Sequence, residues 1–367
     1  MIGQRGVPAS FGGVEHHVEE IGSRLVDRGH DVTVFVRTNY ARERRDRYRG
    51  LSLRHLPTVG TKHLDAIVHS SLSTLVAMAG RFDVLHFHAL GPGIPAAIPR
   101  VLSRARVVQT IHGLDSERAK WGQAARRVLK TAEWLSARVP DAVIVVSGDL
   151  ADHYRTRYGR RTWHVPNGVN PPTVRSADLI TERFGLRAGR YFLFLGRMVP
   201  EKAPDVLVRA FRRVDADVRL VMAGGSSFTD EFERSVRAIG RSDPRVLFIG
   251  YVYGRLVEEL YSNAAAFVLP SSLEGLPLTL LEAASYGTPV IASDIPPHLE
   301  VLEGDGPGRR LVPVGSEGAL AEAMARVVED TEGERRGAEE LGRRVLKRYR
   351  WEEAAAATER VYRSVLR

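Results

Sequence analysis

Short apolar runs of four or five residues alternate along the chain with longer stretches whose apolar positions recur at helical spacing. In the first half, Val32 to Val36, Val84 to His88, Val107 to Ile111 and Ala142 to Val146 read as buried strands. Val14 to Arg28 and Arg118 to Ala137 read as helices beside them. In the second half the strands are Tyr191 to Leu195, Arg219 to Ala223, Val246 to Ile249, Ala266 to Leu269 and Pro289 to Ala292. Helical patterns at Ala203 to Val214, Asp230 to Gly240, Arg255 to Asn263 and Leu278 to Tyr286 separate them. Strands apolar on both faces with helices between them predict an α/β fold, parallel sheets covered by helices.

At 367 residues the chain is too long for one ordinary core, so two doubly wound, Rossmann-like domains are expected. The Pro-, Asn- and Gly-rich loop Pro166 to Ala177 is the expected linker. The first domain then covers residues 1–170 and the second 171–345, with a helical segment at 346–367. A doubly wound domain normally opens on a full strand, yet only Met1 and Ile2 precede Gly3, so the first strand is expected to be truncated and the natural start to lie upstream.

Composition narrows the function classes. No apolar run approaches the roughly 20 residues of a bilayer crossing. The N-terminus lacks a basic-then-apolar secretory pattern, which makes a cytoplasmic location the expectation. Absence of cysteine removes disulfides, thiolate metal sites and a cysteine nucleophile together. The net charge of +9 is uneven: residues 1 to 170 hold 25 Lys and Arg against 15 Asp and Glu, the remainder 28 against 29. No zinc-finger, helix-turn-helix or aromatic RNA-binding pattern accompanies it, which argues against nucleic acid as a partner. An anionic acceptor or peripheral contact with an anionic membrane through the first domain stays open beside a plain solvated face.

Chemistry concentrates in loops that follow predicted strands. In Ser271 to Ala284 a buried strand leads into a loop holding Glu274 and Gly275, and then into a helix with Pro277 expected at its first position. The amides around Gly275, Leu276, Pro277 and Leu278 are placed to meet an anion at the helix start. Glu282 follows about 8 Å along the helix axis. Gly196 to Lys202 sets Arg197 and Lys202 on a strand-to-helix turn, where two cations can neutralise a diphosphate without a metal. Gly12 and Gly13 sit in a glycine loop running from Gly3 to Glu15, ahead of a helix carrying His16 and His17. His112 ends the strand Val107 to Ile111, and His86 and His88 end its neighbour, at the edge where parallel sheets place chemistry. Asp215-Ala216-Asp217 matches a metal-binding D-x-D, but it lies in a helix-to-strand turn that turn chemistry explains. Arg42 to Arg49 reads as a solvated loop, and the helix Arg118 to Ala137 either packs on the core or lies on a membrane surface.

Glu274 and Glu282, with Pro270-Ser271-Ser272, Glu274-Gly275-Leu276-Pro277 and Gly287-Thr288-Pro289-Val290 around them, resemble the E-x7-E region of the retaining glycosyltransferases of family 4, which have the GT-B fold. Gly196-Arg197 through Lys202 is similar to that family's G-R-x-x-x-x-K element, and the N-terminal loop resembles a bacterial subgroup that builds cell-surface polysaccharides, including rhamnosyltransferases. The resemblance implies two facing domains with the donor between them and a last helix, Trp351 to Leu366, crossing back to the first. It implies retaining transfer of a hexosyl or deoxyhexosyl unit from a nucleotide diphosphate sugar to a glycan or lipid-linked acceptor, with no cofactor and no metal. Arg197 and Lys202 would then stabilise the departing diphosphate, Glu274 orient the sugar and Glu282 hold the ribose. His112 would support the sugar, Gly12 and Gly13 would approach the diphosphate, and Gly250, Tyr251 and Val252 would read the base. His16, His86 and His88 would lie on the acceptor side. A nucleotide-sugar epimerase of the same fold and a non-catalytic sugar-nucleotide binding protein remain as alternatives.

Overall fold

Val34 and Val36 bury against Val7, Val18, Leu51 and Leu53, while Phe35 between them joins Ile2, Leu85, Phe87 and Val107 on the opposite face. That alternation is what a strand covered on both sides requires. It organises the first of two units in the computed structural model, which describes residues 1–10, 12–40, 44–59, 65–114, 123–226 and 230–367. The first unit is Met1–Gly168 with Arg350–Arg367, the second Val169–Tyr349. The expected divisions were at 170/171 and 345/346.

Seven strands build the first unit: β1 (Thr33–Arg37), β2 (Arg47–Tyr48), β3 (Leu51–Leu56), β4 (Val84–His88), β5 (Arg106–Ile111), β6 (Ala142–Val145) and β7 (Trp163–His164). They order as β1-β3-β2 and β4-β5-β6-β7. Residues 1 and 2 bridge the two groups. The Met1 amine donates to Thr33 O at 2.7 Å and Phe35 N to Met1 O at 3.1 Å, while Ile2 N donates to His86 O at 2.9 Å and His88 N to Ile2 O at 2.8 Å. Two residues thus fill the central strand position, and the winding direction of the sheet reverses there.

The chain's last helix, Trp351–Leu366, returns to this unit and lies on the helix Gly13–Asp27. Arg24 reaches Glu352 at 3.0 Å, and Arg28 and His30 share Glu359 at 2.5 and 3.2 Å. Trp351 is fully buried, its backbone against Gly168, where a Cβ would come within 2.3 Å of Trp351 N.

The second unit holds β8 (Tyr191–Leu195), β9 (Arg219–Ala223), β10 (Val246–Gly250), β11 (Ala266–Leu269), β12 (Val290–Ser293) and β13 (Arg309–Val312) in one sheet, ordered β10-β9-β8-β11-β12-β13 and parallel throughout. Its reversal point lies between β8 and β11.

Four strands escaped the apolar-run reading, all edge or near-edge elements. β13 begins Arg309-Arg310, β3 carries Arg54 and His55, and β2 and β7 have two residues each. Half-exposed edges need no continuous apolar run. Of the expected solvated loop at 42–49, residues 42 and 43 lie outside the described residues, and Arg47–Tyr48 pairs antiparallel with β3. The helix expected over 118–137 is described from Gln123 to Ser136, and 118–122 lie outside the described residues. Asp215 and Asp217 lie before the amino end of β9, with Asp217 pairing the exposed Arg187 at 2.7 Å, away from the carboxyl edge where ligands bind.

Candidate functional site

In the second unit the carboxyl ends of β8, β9 and β10 carry Gly196, Gly224 and Gly250 in adjacent positions. Gly224 N donates to Gly250 O at 2.7 Å, Gly196 N to Ala223 O at 3.0 Å and Met198 N to Gly225 O at 2.9 Å. Gly224 has φ +121° and a Cβ there would fall 2.0 Å from Gly196 O, so the chain passes only because the position has no side chain. Motif reading overlooked Gly224, although a Gly-Gly pair directly after a buried strand was the available signal. Gly250 has φ +72°, and the half-exposed Tyr251 beyond it donates its hydroxyl to Ser226 O at 3.3 Å, with Val252 following.

The turn after β8 delivers Arg197 and Lys202. Arg197 Nη2 lies 4.0 Å from Glu201 Oε1. Lys202 ends a short 3-10 turn, Pro200–Lys202, and Ala203 follows in the left-handed region at φ +47°. A non-glycine residue there costs on the order of 1 kcal/mol and marks a constrained bend. The bend sends Lys202 Nζ to Glu274 Oε1 at 2.6 Å, joining the loop after β8 to the loop after β11. Ser271 Oγ donates to the same carboxylate oxygen at 2.8 Å, and Ser272 N donates to Glu201 O at 2.8 Å. Burial pushes the Glu274 carboxyl up, but the Lys202 ammonium, the neighbouring His298 and the Ser271 hydroxyl outweigh it and hold the group below its ordinary range. His298, fully buried on the short helix Pro296–Leu302 that follows β12, is lowered to about 4 by burial, with Glu274 opposing. Sequence reading missed His298, which no spacing rule connects to Glu274.

Gly275, Leu276 and Pro277 are buried, and the helix runs Leu278–Ser285, starting where the helical pattern placed it, with Pro277 as the N-cap in extended backbone and not at the first helical position. A proline at either position loses no helical hydrogen bond, which is why sequence alone could not fix the register. The first-turn amides of Leu278 and Thr279 have no partner within the helix. Glu282 accepts from Tyr261 Oη at 3.1 Å, which fixes its carboxylate near the loop and raises the tyrosine well above its ordinary value, burial being the larger cause.

The first unit gathers histidines at the carboxyl ends of β4 and β5. His86 is fully engaged inside the fold, Nδ1 with Tyr362 Oη at 2.6 Å and Nε2 with Thr110 Oγ1 at 2.7 Å, leaving no ring nitrogen for a ligand. His88 Nδ1 lies 3.3 Å from His112 Nε2. The third member is His17, whose ring centroid is 4.6 Å from that of His112 and whose Nδ1 contacts Asn167 Oδ1 at 2.9 Å. His16 is not in this group; its ring and that of His17 both lie edge-on to Trp351 at 5.8 Å. His17, His88 and His112 each bring one ring nitrogen within 4.8 Å of the others, the one group with metal-ligand spacing among the described residues. Burial lowers His17 to about 4 and holds His88 and His112 well below the ordinary histidine value.

Gly3 stands beside this cluster with φ +121°, where a Cβ would fall 2.4 Å from His88 O. Gly12 and Gly13 are exposed at the start of the helix Gly13–Asp27, and Gly12 is its N-cap with φ +103°. The preceding loop is tied by two carboxylates of that helix: Arg5 N donates to Glu15 Oε1 at 2.9 Å and Ala9 N to Glu19 Oε2 at 2.7 Å. No helix among the described residues is long and apolar enough to cross a membrane.

Residues 11–172 match the family model described as Glycosyltransferase Family 4, and residues 181–344 match Glycosyl transferases group 1. The phosphatidyl-myo-inositol mannosyltransferase of Mycolicibacterium smegmatis is 28% identical, over 98% of this chain and 92% of its own. Among solved structures, sucrose-phosphate synthase from Thermosynechococcus elongatus superposes with a TM-score of 0.82 at 23% identity, covering 96% of this chain and 94% of that one. Anabaena HepE in complex with UDP and glucose gives 0.82 at 17% identity, covering 97% of each chain.

Proposed function

Starting from a chain that is a glycosyltransferase of the GT-B fold, with family 4 and group 1 halves, we propose that it transfers a sugar, with retention of anomeric configuration, from a nucleotide diphosphate donor. The observation that carries this reading is the Lys202–Glu274 pair at 2.6 Å, spanning the reversal point of the second sheet. Open α/β sheets bind ligands outside the carboxyl ends at such a point. A cation and a carboxylate held together there suit a donor that is anionic at the diphosphate and hydroxylated at the sugar.

Lys202 and Arg197 take the charge that builds on the departing diphosphate, the contribution that usually dominates phosphate leaving-group catalysis. Glu274 accepts from sugar hydroxyls, for which a carboxylate kept ionised is the right acceptor. Glu282 accepts from the ribose, and the amides of Leu278 and Thr279 at the helix start add donors for phosphate. Gly250, Tyr251 and Val252 lie at the outer strand end, where a base would be read. The role of His112, and of Gly12 and Gly13, follows from the family resemblance. HepE was solved with UDP and glucose, which supports a nucleotide-sugar donor, and the relative's name, phosphatidyl-myo-inositol mannosyltransferase, supports a lipid-linked acceptor; a glycan acceptor and a role in cell-surface polysaccharide synthesis at the cytoplasmic side of the membrane are the rest of the proposal. No cofactor or metal is needed for this assignment.

The test is a panel of nucleotide diphosphate sugars, each incubated with and without a mixture of glycan and lipid-linked acceptors. Nucleoside diphosphate release that depends on acceptor, with an α-configured product from an α-configured donor, is the expected result. Isomerised sugar without acceptor would make the protein an epimerase. Binding without any turnover would make it a sugar-nucleotide binding protein.

A further inference from the structure

We propose that His17, His88 and His112 form a binding site for a divalent transition metal of the Zn2+ class in the first unit. The inference concerns that unit alone and does not rest on the donor chemistry proposed above.

The geometry is close to what such an ion requires. Two imidazole nitrogens bound to one tetrahedral Zn2+ at about 2.05 Å lie about 3.3 Å apart. His88 Nδ1 and His112 Nε2 are 3.3 Å apart. The third nitrogen, from His17, lies within 4.8 Å of both, so closure asks a shift of at most about 1.5 Å against that tetrahedral edge. His17 sits on the helix Gly13–Asp27, whereas the other two terminate adjacent strands, so the trio is held by separate elements on a fixed sheet edge.

The surrounding groups favour ligation as well. Asn167 Oδ1 accepts from His17 Nδ1, which leaves His17 Nε2 as the nitrogen with a free lone pair. Ligating histidines characteristically make this second contact through the other ring nitrogen. Imidazole-only donors suit Zn2+, Co2+, Ni2+ and Cu2+ and disfavour Mg2+ and Ca2+. Three protein ligands leave a fourth position for water or for an oxygen of a bound molecule.

The experiment titrates ZnCl2 into tag-free, metal-stripped protein by isothermal calorimetry, and CoCl2 in parallel by visible absorption. One Zn2+ per chain with a Kd of micromolar or below is expected, weakened at least tenfold in His17→Gln and in His112→Gln and unchanged in His55→Gln. MgCl2 should give no heat. Tryptophan emission establishes that each variant is folded. Should either variant not fold, Co2+ bound to the unaltered protein decides: intense tetrahedral d–d bands support the site, and the pale octahedral spectrum overturns it. No saturable Zn2+ binding, or an affinity in His17→Gln and His112→Gln equal to that of the unaltered protein, likewise overturns it.

Discussion

The two units place opposite chemistry at the same topological position. Where the first sheet reverses, beside residues 1 and 2, the strand ends present imidazoles that burial holds neutral. Where the second sheet reverses, between β8 and β11, they present a lysine paired with a carboxylate whose ionised form that lysine favours. Eleven of the twelve histidines lie in the first unit and only His298 in the second. The fold supplies the position, and the residues at the strand ends decide whether it suits a neutral ligand, a metal or a diphosphate. The close backbone approach is shared: Gly3 and Gly224 both have φ +121°, each with a neighbouring carbonyl where a Cβ would go.

The largest expected effect is the response to acid, which involves His17 and His69 in the first unit and His298 alone in the second. His17 and His69 are both lowered to about 4, by burial first. An unfolded chain protonates both below the ordinary histidine value of about 6.5, whereas the native chain does so only near 4. Stability is therefore complete above pH 6.5 and falls as pH drops through that window, by on the order of 2 kcal/mol per group at pH 5. The Glu274 pair behaves otherwise: a depressed carboxylate contributes stability above the ordinary carboxylate range and loses it only at lower pH. The described tryptophans, 134, 163 and 351, belong to the first unit and none lies in the second, so tryptophan emission reports unfolding of the first. A denaturant midpoint from tryptophan emission that stays constant between pH 7 and pH 5 would refute the neutral-histidine account.

Glycine replacement comes next. Gly3→Ala and Gly224→Ala should each cost about 3 kcal/mol, from the positive φ and the carbonyl clash together. Gly3→Ala should lower the tryptophan-reported midpoint, while Gly224→Ala should lower donor affinity by displacing Gly196 and the turn that carries Lys202. Equal stability of alanine at either position would show that the strand ends are not closely fitted there. The smallest effect is expected from Tyr261→Phe, which frees Glu282 of its 3.1 Å hydroxyl donor. It should cost about 1 kcal/mol and raise the donor KM a few-fold with kcat unchanged. A fall in kcat instead would move Glu282 from ribose binding to the chemical step.

Legibility in the sequence followed the physics of each element. Central strands such as Tyr191–Leu195 and Ala266–Leu269 are apolar on both faces and were read at their true bounds. Edge strands such as Arg309–Val312 satisfy one face with solvent and gave no such pattern. Glu274, Lys202, Arg197 and Glu282 were legible because each stands at a strand-to-helix turn or a fixed spacing from one. His17 was not chosen over His16, because the choice depends on the rotation of one helix against β4 and β5, which residue order does not specify. The Glu274–His298 neighbourhood joins a loop to a helix with another helix and a strand between them in the chain, and no local signal marks it.

If Lys202 and Glu274 form the donor site of a sugar transferase, transfer depends on both side chains. Steady-state transfer measured for Lys202→Ala and Glu274→Ala, with far-UV circular dichroism confirming the fold, tests it most directly. A fall in kcat of about 10² to 10³ in each variant is predicted. Turnover and donor KM equal to those of the unaltered protein would contradict it.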